Sequence, residues 1–175
     1  MTAYVALLRA VNLMAGTSLA MADLKRICEE AGYRRVKTFI ASGNVVFESS
    51  AKEAAVKAEL EKRLKSHAGK PIDVVVRTAG EMTAILKDFP FKTIAKNHGV
   101  VIFLDARPPA DALQVIAGQA KDEKVALGKR EIYVAYGEKG IGRSKLKIPA
   151  AKEGTARNLN TVQKLAEMAD ALPAS

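Results

Sequence analysis

The alternation of apolar and polar positions divides the chain into short strands and amphipathic helices. Tyr4 to Asn12 is apolar on both faces apart from Arg9, which predicts a central strand with helices over one face and at least partial cover on the other. Leu24, Ile27, Cys28 and Ala31 follow at helical spacing, and Gly32 stands where such a helix stops. Val36 to Ser42 and Val45 to Phe47 are β-branched and aromatic runs around Gly43-Asn44, a dipeptide suited to the positive φ of a tight hairpin. Ser50 and Glu53 read as a capping box for a helix that buries Val56, Leu60 and Leu64. Gly69-Lys70-Pro71 breaks it before a strand from Ile72 to Arg77. The order β-α-β-β-α-β is that of a ferredoxin-like plait, placed at residues 1–78.

The second half, residues 79–175, repeats much of this. Thr78 and Glu81 form another capping box, and Met82, Ile85, Leu86 and Phe89 make a helical stripe ended by Pro90. Val100 to Leu104 reads as a strand, and Pro108-Pro109 as the opening of a helix with Leu113, Ile116 and Ala117 inward. Lys124 to Leu127 pairs with Glu131 to Tyr136 across Gly128-Lys129. A last helix from Leu159 to Leu172 buries Val162, Leu165, Ala166 and Ala169, with Asn158 or Asn160 as N-cap. The closing strand of this second plait is expected around Ile148. The fold class is therefore α+β, two ferredoxin-like (alpha-beta plait) subdomains with antiparallel sheets, packed rigidly with a cleft between them.

Composition narrows the function. The longest apolar run, near Val5 to Leu8, is far too short to span a bilayer, and the basic start and apolar core of a signal peptide are missing, so a soluble, cytoplasmic protein with no membrane partner is expected. One cysteine, Cys28, excludes an internal disulfide and a multi-cysteine metal site, and its place on a helical stripe makes it a core residue. His67 and His98 have no carboxylate pattern around them and read as surface histidines; no metal and no cofactor is implied. The 28 Lys and Arg against 19 Asp and Glu give +9 at pH 7 and bias the chain toward anions. From Lys52 to Lys65 the signs alternate, as on a solvated helix face, whereas Lys139 to Lys147 holds four cations and no acid.

Chemistry concentrates at few positions. Arg9 and Asn12 end an otherwise apolar strand, where an arginine must find an anion, carbonyls or solvent: a structural ion pair is one reading and a ligand contact the other. The loop Ala15-Gly16-Thr17-Ser18 then leads into a helix, a setting that favours anions, with a single glycine to support it. Ser42, Gly43 and Asn44 are first of all a turn. Gly140-Ile141-Gly142 beside Arg143, Ser144, Lys145 and Lys147 suits oxyanions, without the spacing of a P-loop or a dinucleotide fingerprint. Ser144 and Lys147 fit S-x-x-K, but the other acyl-transfer motifs are missing. At the entrance to the last helix, capping accounts for one Asn and one Thr among Thr155, Asn158, Asn160 and Thr161, but not for Arg157 near the positive end of the helix dipole.

ALLRAVNLMAGTSLAMADLK, KTFIASGNVVFES, GIGRSKL and TARNLNTVQKLAEMA together resemble a bacterial family catalogued as domain of unknown function 1697, over nearly the whole chain. Members usually read ALLRGINVGG near the start and T-x-R-N-W-N-T near the end; here Ala10, Met14 and Ala15 replace the glycines and Leu159 the tryptophan. The resemblance implies the two-plait architecture and brings no reaction and no catalytic residues with it.

The resulting expectation is a cleft protein that binds a small anionic or phosphorylated ligand through Arg9, Asn12, Arg143, Ser144, Lys145, Arg157 and Asn158. The alternative is a weak, largely non-specific nucleic-acid-binding module; with 5% aromatics and no tryptophan, it would hold phosphate by charge more than bases by stacking. Neither reading names a reaction or an oligomeric state.

Overall fold

The computed structural model describes residues 1–14 and 16–172. Its first sheet holds β1 (Thr2–Leu8), β2 (Arg34–Phe39), β3 (Asn44–Ser49) and β4 (Val74–Thr78) in the order β2-β3-β1-β4, all antiparallel. Helix α1 (Met21–Glu30) joins β1 to β2, and α2 (Glu53–Ala68) joins β3 to β4. The second sheet holds β5 (Gly99–Phe103), β6 (Lys124–Leu127), β7 (Glu131–Ala135) and β8 (Thr155–Asn158) in the order β6-β7-β5-β8, again antiparallel. Replacing each strand by its counterpart four places on turns one order into the other. Helix α3 (Ala79–Asp88) follows β4 as α4 (Leu159–Ala171) follows β8. The chain is thus an α+β protein with two ferredoxin-like sheets of one topology. By contact density it falls into two units, residues 84–163 and residues 1–83 with the segment from Lys164 onward.

In the first unit, Leu24, Ile27 and Cys28 of α1 and Val56, Leu60 and Leu64 of α2 close over Tyr4, Ala6, Leu8, Val45, Phe47, Val74 and Val76. Burial of each large aliphatic side chain here stabilises by roughly 1.5–3 kcal/mol. Tyr33 stacks on Phe47 with ring centroids 4.4 Å apart. The hairpin between β2 and β3 turns through Ile40 to Gly43, with Asn44 already in β3 and its Nδ2 donating to the Phe39 carbonyl at 2.9 Å. Gly43 has φ 89°, and Ile40, at φ 52°, bears a left-handed backbone that a β-branched residue rarely adopts. The first strand ends at Leu8, four residues short of the expected Asn12, because Ala10 and Asn12 have φ of 56° and cannot continue a pleat. Ser50 and Glu53 do not form the expected box: Lys52 is the N-cap of α2, with no side-chain cap bond. Thr78 and Glu81 do form theirs, Thr78 N–H donating to Glu81 Oε1 at 3.0 Å and Glu81 N–H to Thr78 Oγ1 at 3.1 Å.

The second unit departs most from expectation. After Pro108-Pro109 there is only a 3-10 turn at Ala112–Val115; Ala112 is buried, while Leu113 and Val115 are 43% and 53% exposed. The closing strand is Thr155–Asn158, hydrogen-bonded to β5, and not a segment around Ile148. In place of two crossover helices, the apolar face made by Val100, Ile102, Leu104, Ile132 and Val134 is covered by Leu146, Ile148, Ala150 and Ala151. Among the described residues no helix is long and apolar enough to cross a membrane.

Two measurements check this packing. Thr78→Ala removes one half of the reciprocal cap and is expected to lower stability by about 1 kcal/mol in urea titration. Cys28 is fully buried, and burial pushes its thiol up to about 12, so native protein at pH 8 is expected to react with a thiol reagent only at the rate of unfolding.

Candidate functional site

Of the residues singled out in the first unit, Arg9 takes the structural course. Its guanidinium lies 3.6 Å from Asp73 Oδ2, and its backbone N–H donates to the Asp73 carbonyl at 3.0 Å. Both side chains are partly exposed, a setting in which such pairs are worth about 0–1 kcal/mol. Asn12 is a loop staple: Nδ2 donates to the carbonyls of Leu19 and Ala41 at 2.7 Å each, and Oδ1 accepts from Leu19 N–H at 2.8 Å. Two of these bonds close the loop after β1 on itself at Leu19, and the third ties it to the hairpin turn at Ala41. Ala15, the first residue of the loop read as an anion cradle, lies outside the described residues.

Arg143, Ser144 and Lys145 come together in the second unit. They line a pocket of about 190 Å³ with Lys139, Asp122 and Glu123. Two loops build it. Ala117 and Lys147 exchange backbone hydrogen bonds at 3.0 and 2.8 Å. Next to this bridge Gly118, at φ 70°, comes so close to the Lys145 carbonyl that a Cβ would collide with its oxygen. Glu123 is 5% exposed and fastens both loops: one carboxylate oxygen accepts from Ala120 N–H at 2.8 Å, the other from the Ser144 hydroxyl. Ser144 Oγ in turn accepts from Leu146 N–H at 3.1 Å. Asp122 Oδ2 accepts from Glu138 N–H at 3.0 Å. Burial first, and the Glu123 charge second, raise the phenol of Tyr136 above its ordinary range.

The two carboxylates are therefore engaged by amides and a hydroxyl of the pocket's own loops. Lys139, Arg143 and Lys145 are left with no ion pair or side-chain hydrogen bond among the described residues. The unit that carries them is the more basic of the two, with 14 Lys and Arg against 8 Asp and Glu in residues 84–163. Three cations around a concave surface can hold an oxyanion by charge-assisted hydrogen bonds.

Arg157 and Asn158 lie on β8, at the opposite edge of the same sheet from β6 and its pocket. Asn158 is the N-cap of α4, Oδ1 accepting from Thr161 N–H at 2.9 Å. Arg157 is half-buried opposite Val101, its Nη1 donating to the Ala156 carbonyl at 2.9 Å, and burial lowers its guanidinium to about 10. Sequence reasoning did not find Asp122 and Glu123, which stand in the mixed-charge run Lys121 to Lys124 and look like solvated charges. Gly137 is the one signal nearby, since a Cβ there would collide with the Asp122 carboxylate.

The fold agrees with that of a solved structure. The conserved bacterial protein SP0830 from Streptococcus pneumoniae is similar with a TM-score of 0.80 and 23% identity, over 96% of this chain and 98% of that one. No curated protein matches. A family model described as protein of unknown function (DUF1697) matches residues 1–133, from β1 to the middle of β7, and the chain belongs to that family.

Proposed function

We propose that this protein binds a small anionic or phosphorylated ligand, and that the pocket between the loop carrying Lys139, Arg143 and Lys145 and the loop carrying Asp122 and Glu123 receives it. One observation carries the reading. Asp122 and Glu123 line the same pocket, yet they are hydrogen-bonded to Ala120, Ser144 and Glu138 and not to the three cations, which outnumber them and make no ion pair among the described residues. Three cations against two carboxylates leave the hollow with a net positive charge. A bound oxyanion offsets it. The two carboxylates also set a selectivity: they disfavour a densely charged polyanion and suit a compact anion that reaches the cations alone. Ser144 contributes by position, because its bond to Glu123 and its acceptance from Leu146 N–H fix the backbone between Arg143 and Lys145.

The test is a thermal-shift screen of nucleotides, phosphosugars and dicarboxylates at low ionic strength. At least one is expected to stabilise the protein, and for that ligand Arg143→Ala with Lys145→Ala is expected to weaken binding about tenfold or more, the loss of a charge-assisted hydrogen bond. No stabilisation by any of them, or an affinity unmoved in the double variant, would overturn the proposal. Binding of single-stranded RNA or DNA that falls steeply with salt, without small-ligand stabilisation, would favour the nucleic-acid reading.

A further inference from the structure

A second polar feature lies at the other edge of the same sheet. Thr155 is 2% exposed, and its Oγ1 is the only buried side-chain nitrogen or oxygen among the described residues with no hydrogen-bond partner. A hydroxyl taken out of water and left without a partner works against folding, whereas a valine of the same shape would not. The hydroxyl is also held rigidly. Gly154, just before it, lies so close to β5 that a Cβ there would meet Ile102 Cγ2 at 2.5 Å, and the strand pairs Thr155 with Phe103 and Arg157 with Val101.

That register puts Thr155 and Arg157 on one face of β8, two residues or roughly 6.6 Å apart along the strand. A buried hydroxyl with a free donor and a half-buried guanidinium are thus neighbours on one rigid element, next to the N-terminus of the 13-residue helix α4. Glu131 belongs to the same face, since it pairs with Phe103 from the other side. By strand spacing it stands roughly 10 Å across the sheet from Thr155, farther than Arg157. We infer that Thr155 and Arg157 form a second oxyanion site, separate from the loop pocket, in which one oxygen of a phosphate or carboxylate takes the Thr155 hydroxyl and another takes the Arg157 guanidinium. The partly dry surroundings strengthen such contacts relative to the exposed cations of the pocket.

The experiment uses the full chain carrying Arg143→Ala and Lys145→Ala, so that the loop pocket and this site are read apart. Melting temperature is followed against inorganic phosphate and, separately, acetate, with Thr155→Val, Thr155→Ser and Arg157→Gln each added to that background. The general rise that phosphate gives any folded protein is common to all variants and cancels in the comparison. One anion is expected to stabilise the parent beyond that rise, and which of the two does so separates a phosphate from a carboxylate ligand. Thr155→Val and Arg157→Gln should each weaken the apparent affinity about tenfold or more, while Thr155→Ser keeps it. In anion-free buffer Thr155→Val should melt no lower than its parent. A Thr155→Val variant that is less stable without anion would show that the hydroxyl has a protein partner, and would overturn the inference. So would an anion response absent from the parent, or one that either substitution leaves unchanged.

Discussion

The second sheet has an apolar face that, among the described residues, no α-helix covers, and the layout of this half of the molecule follows from the need to cover it. Val100, Ile102, Ile132 and Val134 must be kept from water, and with only a 3-10 turn after β5 the cover comes from the chain after β7. That stretch alternates: Leu146, Ile148 and Ala150 turn inward onto the sheet, and Lys145, Lys147 and Pro149 are exposed. The period of two that buries the apolar residues is the same one that displays the cations. Lys145 and Lys147 point outward because Leu146 and Ile148 point inward. The basic loop is an extension of a core-covering segment, which is why a glycine-rich run can be held in one place.

The anchoring is polar and local. Glu123 replaces part of what a crossover helix would supply, since its two oxygens tie Ala120 and Ser144 across the gap between loops. Each such hydrogen bond contributes about 1 kcal/mol net while both partners are present, and losing one partner leaves a buried carboxylate to be solvated poorly. Removing Ser144 and removing Glu123 are therefore unequal acts. The first leaves Glu123 with its Ala120 contact, and the second frees the loop and also relieves the pocket of a negative charge.

The strands and the long helices were legible in the sequence because their apolar period is carried by large residues that can go only one way. The stripe Met82, Ile85, Phe89 and the box Thr78-Glu81 are of this kind, and both elements formed where they were expected. The segment after Pro108 was misread because Leu113, Ile116 and Ala117 fit a helical period too weakly to outweigh Pro108-Pro109 before them and Gly118 after them. Ile148 was misread for a subtler reason. Its alternation is real and it even lies beside a β-bridge, but Gly154 allows a closer approach to β5, and the edge position goes to Thr155–Asn158.

Among the candidate contacts, the side chains that sequence alone separates least are the short amides and hydroxyls. Asn12 and Asn158 bond to backbone groups, and Ser144 to one backbone amide and the Glu123 carboxylate, all within about thirty positions of themselves, and nothing in their identity announces it. A cation is a different case: a lysine or arginine carries a full charge that backbone carbonyls compensate only in part, and Arg143 and Lys145 make no ion pair among the described residues. Thr155 shows the converse, a small residue whose significance lies in a bond it does not make. In the sequence it is one of several polar residues at the entrance to the last helix. Its pairing with Phe103 places it on the same face of β8 as Arg157, and only the register of β8 on β5 makes that visible. Covering an apolar face with a loop sets out the cations at one edge of the sheet, and closing the sheet with a glycine-led strand buries a hydroxyl at the other. Both polar features of this unit are consequences of how its sheet is finished.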